Sequence, residues 1–235
     1  MISLLVFARC AGFVFRAPGL SHPSVPAPLR AGFAAALTMA IAPPAASAVP
    51  HSAAAVGILV AFAAEFAVGS AIGMAASILY DGAYAGGRVV DDYVGVKAIA
   101  PSLQLVAPSG FGRVWSLAFT GAFYLSGAYR PVLLAFAQSF SKVPVGTAMQ
   151  WSGWAAYAAS FASAIALVAI EVAAPAVALA FVVQLALGAL SRVIPRFGSF
   201  TLTFPLAFAA ALTATAIGAP FVVAHVRAPA VSGLP

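Results

Sequence analysis

Hydrophobic positions run along this chain in long blocks separated by short polar stretches. Six such blocks stand out, at about residues 2–17, 30–49, 53–80, 112–136, 155–190 and 199–224. Strands of a membrane barrel would alternate apolar and polar residues, whereas these blocks are apolar throughout, which favours helices. In lipid a helix pairs its own backbone polar groups. The pattern therefore predicts an all-α, polytopic membrane protein of about six hydrophobic helices, arranged as helical hairpins in a single domain over residues 1–235.

The lengths of the blocks do not suit simple spanning helices. Block 155–190 would be about 54 Å long as one helix, nearly twice a hydrocarbon core of about 30 Å. Pro175 lies near its middle and predicts a kink or a break. Pro43-Pro44 and Pro50-His51 predict a turn between the second and third blocks. We expect kinked hairpins, or helices that rise out of the membrane plane.

The polar stretches predict the connections and the orientation. The longest runs from 81 to 109, and a second runs from 142 to 154. Lys142 and Arg227 fall on one side of the six-block scheme. Seven basic residues fall on the other side: Arg16, Arg30, Arg88, Lys97, Arg113, Arg192 and Arg196. Cytoplasmic loops carry the excess of basic residues, so this second side is predicted to face the cytoplasm. Both termini would then face outward.

Composition excludes a soluble protein. Hydrophobic residues make up 63% of the chain and charged residues 7%, against about 25% charged residues in soluble domains. The net charge of +6 comes from basic residues scattered singly, so a nucleic-acid surface is not indicated. Cys10 is the only cysteine, which excludes an internal disulfide.

No set of residues has the spacing of a catalytic or metal centre. The three histidines are far apart, and no cluster has metal-ligand spacing. The nucleotide-binding, zinc-protease and serine-hydrolase motifs are absent from the sequence. We therefore expect neither an enzyme nor a cofactor.

Glu65 is the most informative single residue, because an acid inside an apolar block is costly and needs a partner or a cavity. Small residues recur around it at every fourth position, on one helical face, and Gly69-x3-Gly73 allows another helix backbone to approach closely. One hypothesis makes Glu65, Gly69 and Gly73 an inter-subunit packing seam. The alternative is packing within the chain, with Glu65 bonded to a nearby Ser or Arg.

Other charged residues have simple structural interpretations. Glu171, near Pro175, could order water or a partner, or could simply be tolerated in its protonated form. Asp91 and its neighbour Asp92 could be solvated loop charges. Arg192 and Arg196 follow a long apolar helix, where basic residues complement the helix C-terminus and anchor it at the membrane face.

Three blocks of residues resemble one family along nearly the whole chain. They are Arg9-x8-Pro18-Gly19-Leu20 with Val25-Pro26-x3-Arg30-Ala31-Gly32; Glu65-x3-Gly69-x3-Gly73 with Gly87-x3-Asp91-x3-Gly95, Pro101, Phe123-x3-Gly127, Ser139-Phe140 and Pro144-Val145-Gly146; and Pro175 with Gly188-x3-Arg192-x2-Pro195, Phe200 and Phe204-Pro205. The chain resembles the FliR/SctT family of flagellar and injectisome export apparatuses. It departs from the family pattern at Ala100, Arg196 and Gly198-Ser199.

The resemblance implies a structural, pore-forming subunit of a type III protein export gate, with a flagellar system favoured over an injectisome. It implies assembly with FliP-like and FliQ-like subunits, association with an FlhB-like protein, and passage of unfolded exported proteins across the bacterial inner membrane, with location also in the flagellar basal body. The packing or gate residues carried over are Glu65, Gly69, Gly73, Gly87, Asp91, Gly95, Arg30, Pro175, Arg192 and Pro195. Within these, Gly87–Gly95 is expected to form a bend that Asp91 holds through Arg or backbone contacts.

Three other functions remain open on the residues alone. A small proton-coupled solute transporter could use Glu65 and Glu171 beside broken helices, although its two halves would then share an inverted symmetry that the sequence does not display. A membrane-embedded enzyme would need more convergent polar groups than this chain offers. A packing subunit of some other complex would share the same composition.

Overall fold

Helices account for the regular structure of this chain. The computed structural model describes residues 2–22, 25–46, 57–95, 110–146, 151–194 and 200–225, and in these ranges there is no strand. The described helices are α1 Ile2–Arg16, α2 Ala27–Ala46, α3 Ile58–Val94, α4 Gly110–Leu125, α5 Tyr129–Lys142, α6 Trp151–Ser191 and α7 Phe200–His225. The all-α prediction is confirmed, and the predicted number of six is corrected to seven for the described ranges.

The extra helix comes from a break inside the predicted block 112–136. Helix α4 ends at Leu125 and α5 begins at Tyr129. Gly127 lies between them with φ +76°, a left-handed conformation that glycine adopts without a Cβ clash. Apolar residues continue on both sides of this turn, which is why the hydrophobic pattern predicted one helix there.

Helix α3 extends well beyond the block predicted for it. It has 37 residues, so the first part of the predicted polar connection 81–109 is helical. Val90 and Val94 explain this, because they are four residues apart and both are buried. The helix ends where Gly95 adopts φ +85° and donates its N–H to the carbonyl of Asp91 at 3.2 Å, the usual left-handed glycine termination.

Neither Pro175 nor the Pro43-Pro44 pair interrupts the helix that contains it. Helix α6 has 41 residues and continues through Pro175, so the helix does not break there, and the alternative of a kink stays a prediction. Helix α2 likewise continues through Pro43-Pro44 to Ala46, and the turn predicted there is wrong; Pro50-His51 lies outside the described ranges. Membrane helices tolerate proline because neighbouring helices, Ser and Thr side chains and small local adjustments satisfy the backbone groups that proline frees.

Two described helices are long and apolar enough to cross a bilayer. They are Ile58–Val94 and the part of α6 from Ala159 to Ser191. Shorter apolar helical stretches occur at Ala27–Ala42 and Leu202–Gly218. The described ranges therefore contain two helices that could span a bilayer, and the six predicted spanning helices are not confirmed. The unusual lengths predicted from the sequence are present in the helices of 37 and 41 residues.

The described residues divide into two compact units. The first unit draws on Met1–Ile78 and Thr120–Ala162, and the second on Leu79–Phe119 and Ser163–Arg227. The core of the first is formed by α1, α2, α5 and the beginning of α3. In the second, alanines of α6 pack against alanines of α7, with Phe111 and the end of α3 beside them. The single domain predicted over 1–235 stays a prediction beside this division.

Candidate functional site

Three glycines bring α1 and α3 into backbone contact in the first unit. A Cβ added at Gly69 would overlap the carbonyl oxygen of Arg9, and one at Gly12 would overlap the carbonyl oxygen of Phe66. A Cβ at Gly73 would lie 2.6 Å from the carbonyl oxygen of Phe13. Small residues at such a spacing are what close helix packing in membranes requires. We refer to Gly12, Gly69 and Gly73 as the glycine seam.

An ion pair is buried beside the glycine seam. Arg9 Nε on α1 donates to Glu65 Oε2 on α3 at 2.6 Å. Arg9 is 0% exposed and Glu65 is 3% exposed. Neither charge could be isolated at such a position, because desolvating one ion costs several kcal/mol unless a partner offsets it. The pair therefore makes it possible for charged residues to lie inside the apolar blocks of α1 and α3.

Helix α5 completes the surroundings of the ion pair. Arg9 Nη1 donates to the carbonyl oxygen of Ser139 at 3.1 Å, and the guanidinium lies 4.4 Å from the centre of the Phe140 ring. Glu65 Oε1 accepts from the backbone N–H of Gly146 at 2.9 Å. We call Arg9, Glu65, Ser139, Phe140 and Gly146 the Arg9–Glu65 cluster. It joins α1, α3 and the C-terminal end of α5 through charge-assisted hydrogen bonds.

The cluster favours one of the two interpretations of the Glu65 face, and the inter-subunit role stays a prediction. Gly69 and Gly73 are covered by α1 of the same chain, and Glu65 is bonded to an arginine. This is the intrachain alternative, and it replaces the inter-subunit seam in the structure of the single chain. Nor does the arrangement favour a transporter. Both carboxylate oxygens of Glu65 have partners, and the side chain of Glu171 is exposed on α6.

A second contact of the same kind joins α3 and α4 in the second unit. A Cβ at Gly87 would overlap the backbone of Gly112. Asp91 Oδ1 accepts the backbone N–H of Phe111, the second residue of α4, at 3.3 Å. Asp91 is 2% exposed, so it is not a solvated loop charge. The sequence hypothesis had Asp91 hold a bend over Gly87–Gly95 through Arg or backbone contacts, and Asp91 does contact backbone. Gly87, however, lies within continuous helix, and α3 continues to Val94, just before Gly95.

Replacing Asp91 by alanine is expected to loosen the start of α4. A carboxylate at a helix N-terminus satisfies a backbone donor, and removing such a group costs about 0.5–2 kcal/mol. We expect a lower melting temperature of the purified protein in mild detergent, measured by tryptophan fluorescence. Asp91→Asn should retain part of the stability, because its amide oxygen can still accept. Asp92→Ala, at the exposed neighbour, is the control, and an equal loss there would contradict this role.

The remaining predicted residues lie apart from the Arg9–Glu65 cluster. Arg30 Nη2 donates to the carbonyl oxygen of His22 at 2.7 Å and so closes the turn between α1 and α2. Pro175 lies inside α6, beside Gly218 of α7. The exposed Arg192 follows the last residue of α6, as expected for a helix C-terminus. Pro195 lies outside the described residues.

The sequence allowed a nearby Ser or Arg as the partner of Glu65, but it did not identify Arg9 as that partner. Arg9, Ser139-Phe140 and Val145-Gly146 entered only as pieces of a resemblance. One signal could have found the pair: Arg9 is a basic residue inside an apolar block, as Glu65 is an acidic one, and such residues pair with one another. No group of three or more His, Cys, Asp or Glu residues in the described ranges could hold a metal ion.

Comparison with known proteins matches the sequence of this chain to one family. A model of the family described as bacterial export proteins, family 1, matches residues 1–230. The chain is 29% identical over 218 residues to the flagellar biosynthetic protein FliR of Bacillus subtilis (strain 168), a match covering 88% of this chain and 81% of that protein. The family match includes every residue of the glycine seam and of the Arg9–Glu65 cluster.

Proposed function

Because this chain belongs to family 1 of the bacterial export proteins, we propose that it is a structural, pore-forming subunit of a type III protein export gate that serves flagellar biosynthesis. The observation that carries the proposal is the family match, which extends over residues 1–230 and so includes both compact units. The similarity to a flagellar biosynthetic protein supports the flagellar system over the injectisome.

Exposed apolar side chains on the described helices support the proposal that lipid or other apolar subunits cover this chain. Large apolar side chains are exposed along most of α6, a density that a water-facing helix would not tolerate. They are Leu167, Ile170, Leu179, Phe181, Val182, Leu185 and Leu190. We propose that FliP-like and FliQ-like subunits cover part of this surface in the bacterial inner membrane, where the chain is a multi-pass protein. An FlhB-like protein would associate with the assembly, and unfolded exported proteins would pass through it.

The Arg9–Glu65 cluster supports a scaffold role for the first unit. It ties three helices together through side chains that are already paired, so it stabilises one arrangement of these helices. A subunit that must hold its place in a ring around a channel needs this kind of rigidity. In the proposal, energy for export comes from other components of the apparatus.

Co-purification tests the proposed assembly. The tagged chain would be co-expressed with the FliP-like and FliQ-like proteins of the same genome, purified in mild detergent and examined by native mass spectrometry. We expect one complex that contains all three proteins. A preparation of the FliP-like and FliQ-like proteins alone, carrying the same tag on the FliP-like protein, is the control. Recovery of this chain as a monomer or homodimer, while its companions assemble without it, would overturn the proposal.

A further inference from the structure

Aromatic side chains and one arginine gather at the turn between α4 and α5. The Tyr124 and Tyr129 rings lie 6.0 Å apart, centre to centre, and the guanidinium of Arg130 lies 5.9 Å from the centre of the Tyr129 ring. Tyr124 donates its hydroxyl hydrogen to the carbonyl oxygen of Pro18 at 2.8 Å, which holds this turn against the turn after α1. We call Tyr124, Tyr129 and Arg130 the turn cluster.

The turn cluster is open on its outer side. Arg130 is exposed, and its described side-chain hydrogen bond goes to the hydroxyl of Tyr129 at 3.5 Å, long enough to leave the guanidinium available. Ser126, at the turn itself, is also exposed. An exposed guanidinium at the centre of a bilayer would cost about 2.5–3.5 kcal/mol even by the lower estimates. The turn cluster is therefore unsuited to the hydrocarbon, whereas the headgroup level of a membrane would accept it.

Apolar side chains flank the turn cluster on both helices. Leu125 is 91% exposed at the end of α4, and Leu134 is 60% exposed one turn into α5. Exposed leucines beside tyrosines and an arginine are typical of a membrane interface, where the leucines contact acyl chains and the amphipathic side chains reach the headgroups. In such a position the positive charge of Arg130 would lie beside phosphate groups.

We propose that the turn cluster binds the phosphate headgroup of an anionic phospholipid. The guanidinium provides several N–H donors in a planar fork that suits phosphate oxygens, and the Tyr129 ring supports its face. The hydroxyl of Tyr124 is already committed to Pro18, so Tyr124 acts by holding the turn in place. The proposal depends on the membrane location of the chain and not on its role in export.

Lipid titration of the purified full-length protein tests the site. Native mass spectrometry would follow the binding of phosphatidylglycerol and of phosphatidylcholine to the wild type and to Arg130→Gln. We expect the wild type to prefer phosphatidylglycerol, and Arg130→Gln to raise the apparent Kd for it about fivefold, the effect of one basic residue near an anionic surface. The Kd for phosphatidylcholine should stay unchanged. Arg130→Lys should retain part of the preference, since the charge remains.

Lys142→Gln is the matched control, because Lys142 is an exposed basic residue at the opposite end of the same helix. It should leave the phosphatidylglycerol preference as in the wild type. The proposal is overturned if Arg130→Gln binds phosphatidylglycerol like the wild type, or if Lys142→Gln loses as much. It is also overturned if a photo-crosslinking residue at the exposed position 126, which leaves Arg130 in place, attaches in cells to another protein of the assembly and not to lipid.

Discussion

Glu65→Leu is expected to cost the folded protein about 3–5 kcal/mol, because it leaves Arg9 charged, buried and without its carboxylate partner. The backbone N–H of Gly146 would lose its acceptor as well. The melting temperature in mild detergent should fall steeply, and the single cysteine offers a more specific measurement. Cys10 follows Arg9 on α1 and is 0% exposed, so a maleimide should label it far faster once α1 separates from α3.

The double variant Arg9→Met with Glu65→Leu separates the charge effect from the packing effect. Replacing a whole buried ion pair by apolar side chains is often neutral or stabilising, so the double variant should regain most of the lost stability. Glu171→Leu is the control for the substitution itself, since Glu171 is an acid that is exposed on α6. If Glu65→Leu melts like the wild type, or if the two losses simply add in the double variant, the ion pair does not stabilise the first unit.

Gly69→Leu is expected to displace α1 as a whole. Even the first carbon of the new side chain would overlap the carbonyl oxygen of Arg9, and backbone cannot move aside without moving its helix. Overpacking of a core costs about 1–3 kcal/mol of stability when side chains can adjust. A clash with backbone should therefore destabilise the folded protein by at least the upper value of this range. Rapid maleimide labelling of Cys10 and loss of co-purification with the FliP-like and FliQ-like subunits should occur together.

Gly32→Leu is the matched control for the Gly69 variant. Gly32 lies on α2 in the first unit, and a Cβ there would meet nothing within 4 Å. The same substitution should leave the labelling of Cys10 slow. Slow labelling in Gly69→Leu would show that α1 does not contact α3 at Gly69. Slow labelling together with a lost complex would instead locate the effect at another subunit, as the inter-subunit hypothesis had it.

The two results bear on how a membrane subunit is held together. Apolar faces give little specificity in lipid, because lipid tails are as apolar as leucine side chains. The first unit instead uses the glycine seam for close approach and the Arg9–Glu65 cluster for register. Arg9 can meet Glu65 only when α1 and α3 are correctly aligned, so a slip along the helices would leave both charges buried and unpaired.

The amino-acid sequence by itself determined the class of the fold and pointed to the family. Long uniform apolar blocks with 7% charged residues leave a helical membrane protein as the main solution, because lipid requires each segment to satisfy its own backbone. Glu65 could be identified as an important residue because an acid inside an apolar block needs a partner or a cavity. The motif order pointed to the family that residues 1–230 match.

The tertiary structure alone decided which residues meet and where helices break. Arg9 and Glu65 are 56 positions apart, and Arg9 and Ser139 are 130 positions apart, distances over which hydrophobic periodicity carries no information. Gly127 ends a helix between two apolar stretches, whereas Pro175 ends none. Hydrophobic periodicity shows which face of a helix is apolar. Which residues become partners, and where a helix breaks, depend on the contacts that distant segments make once they are packed.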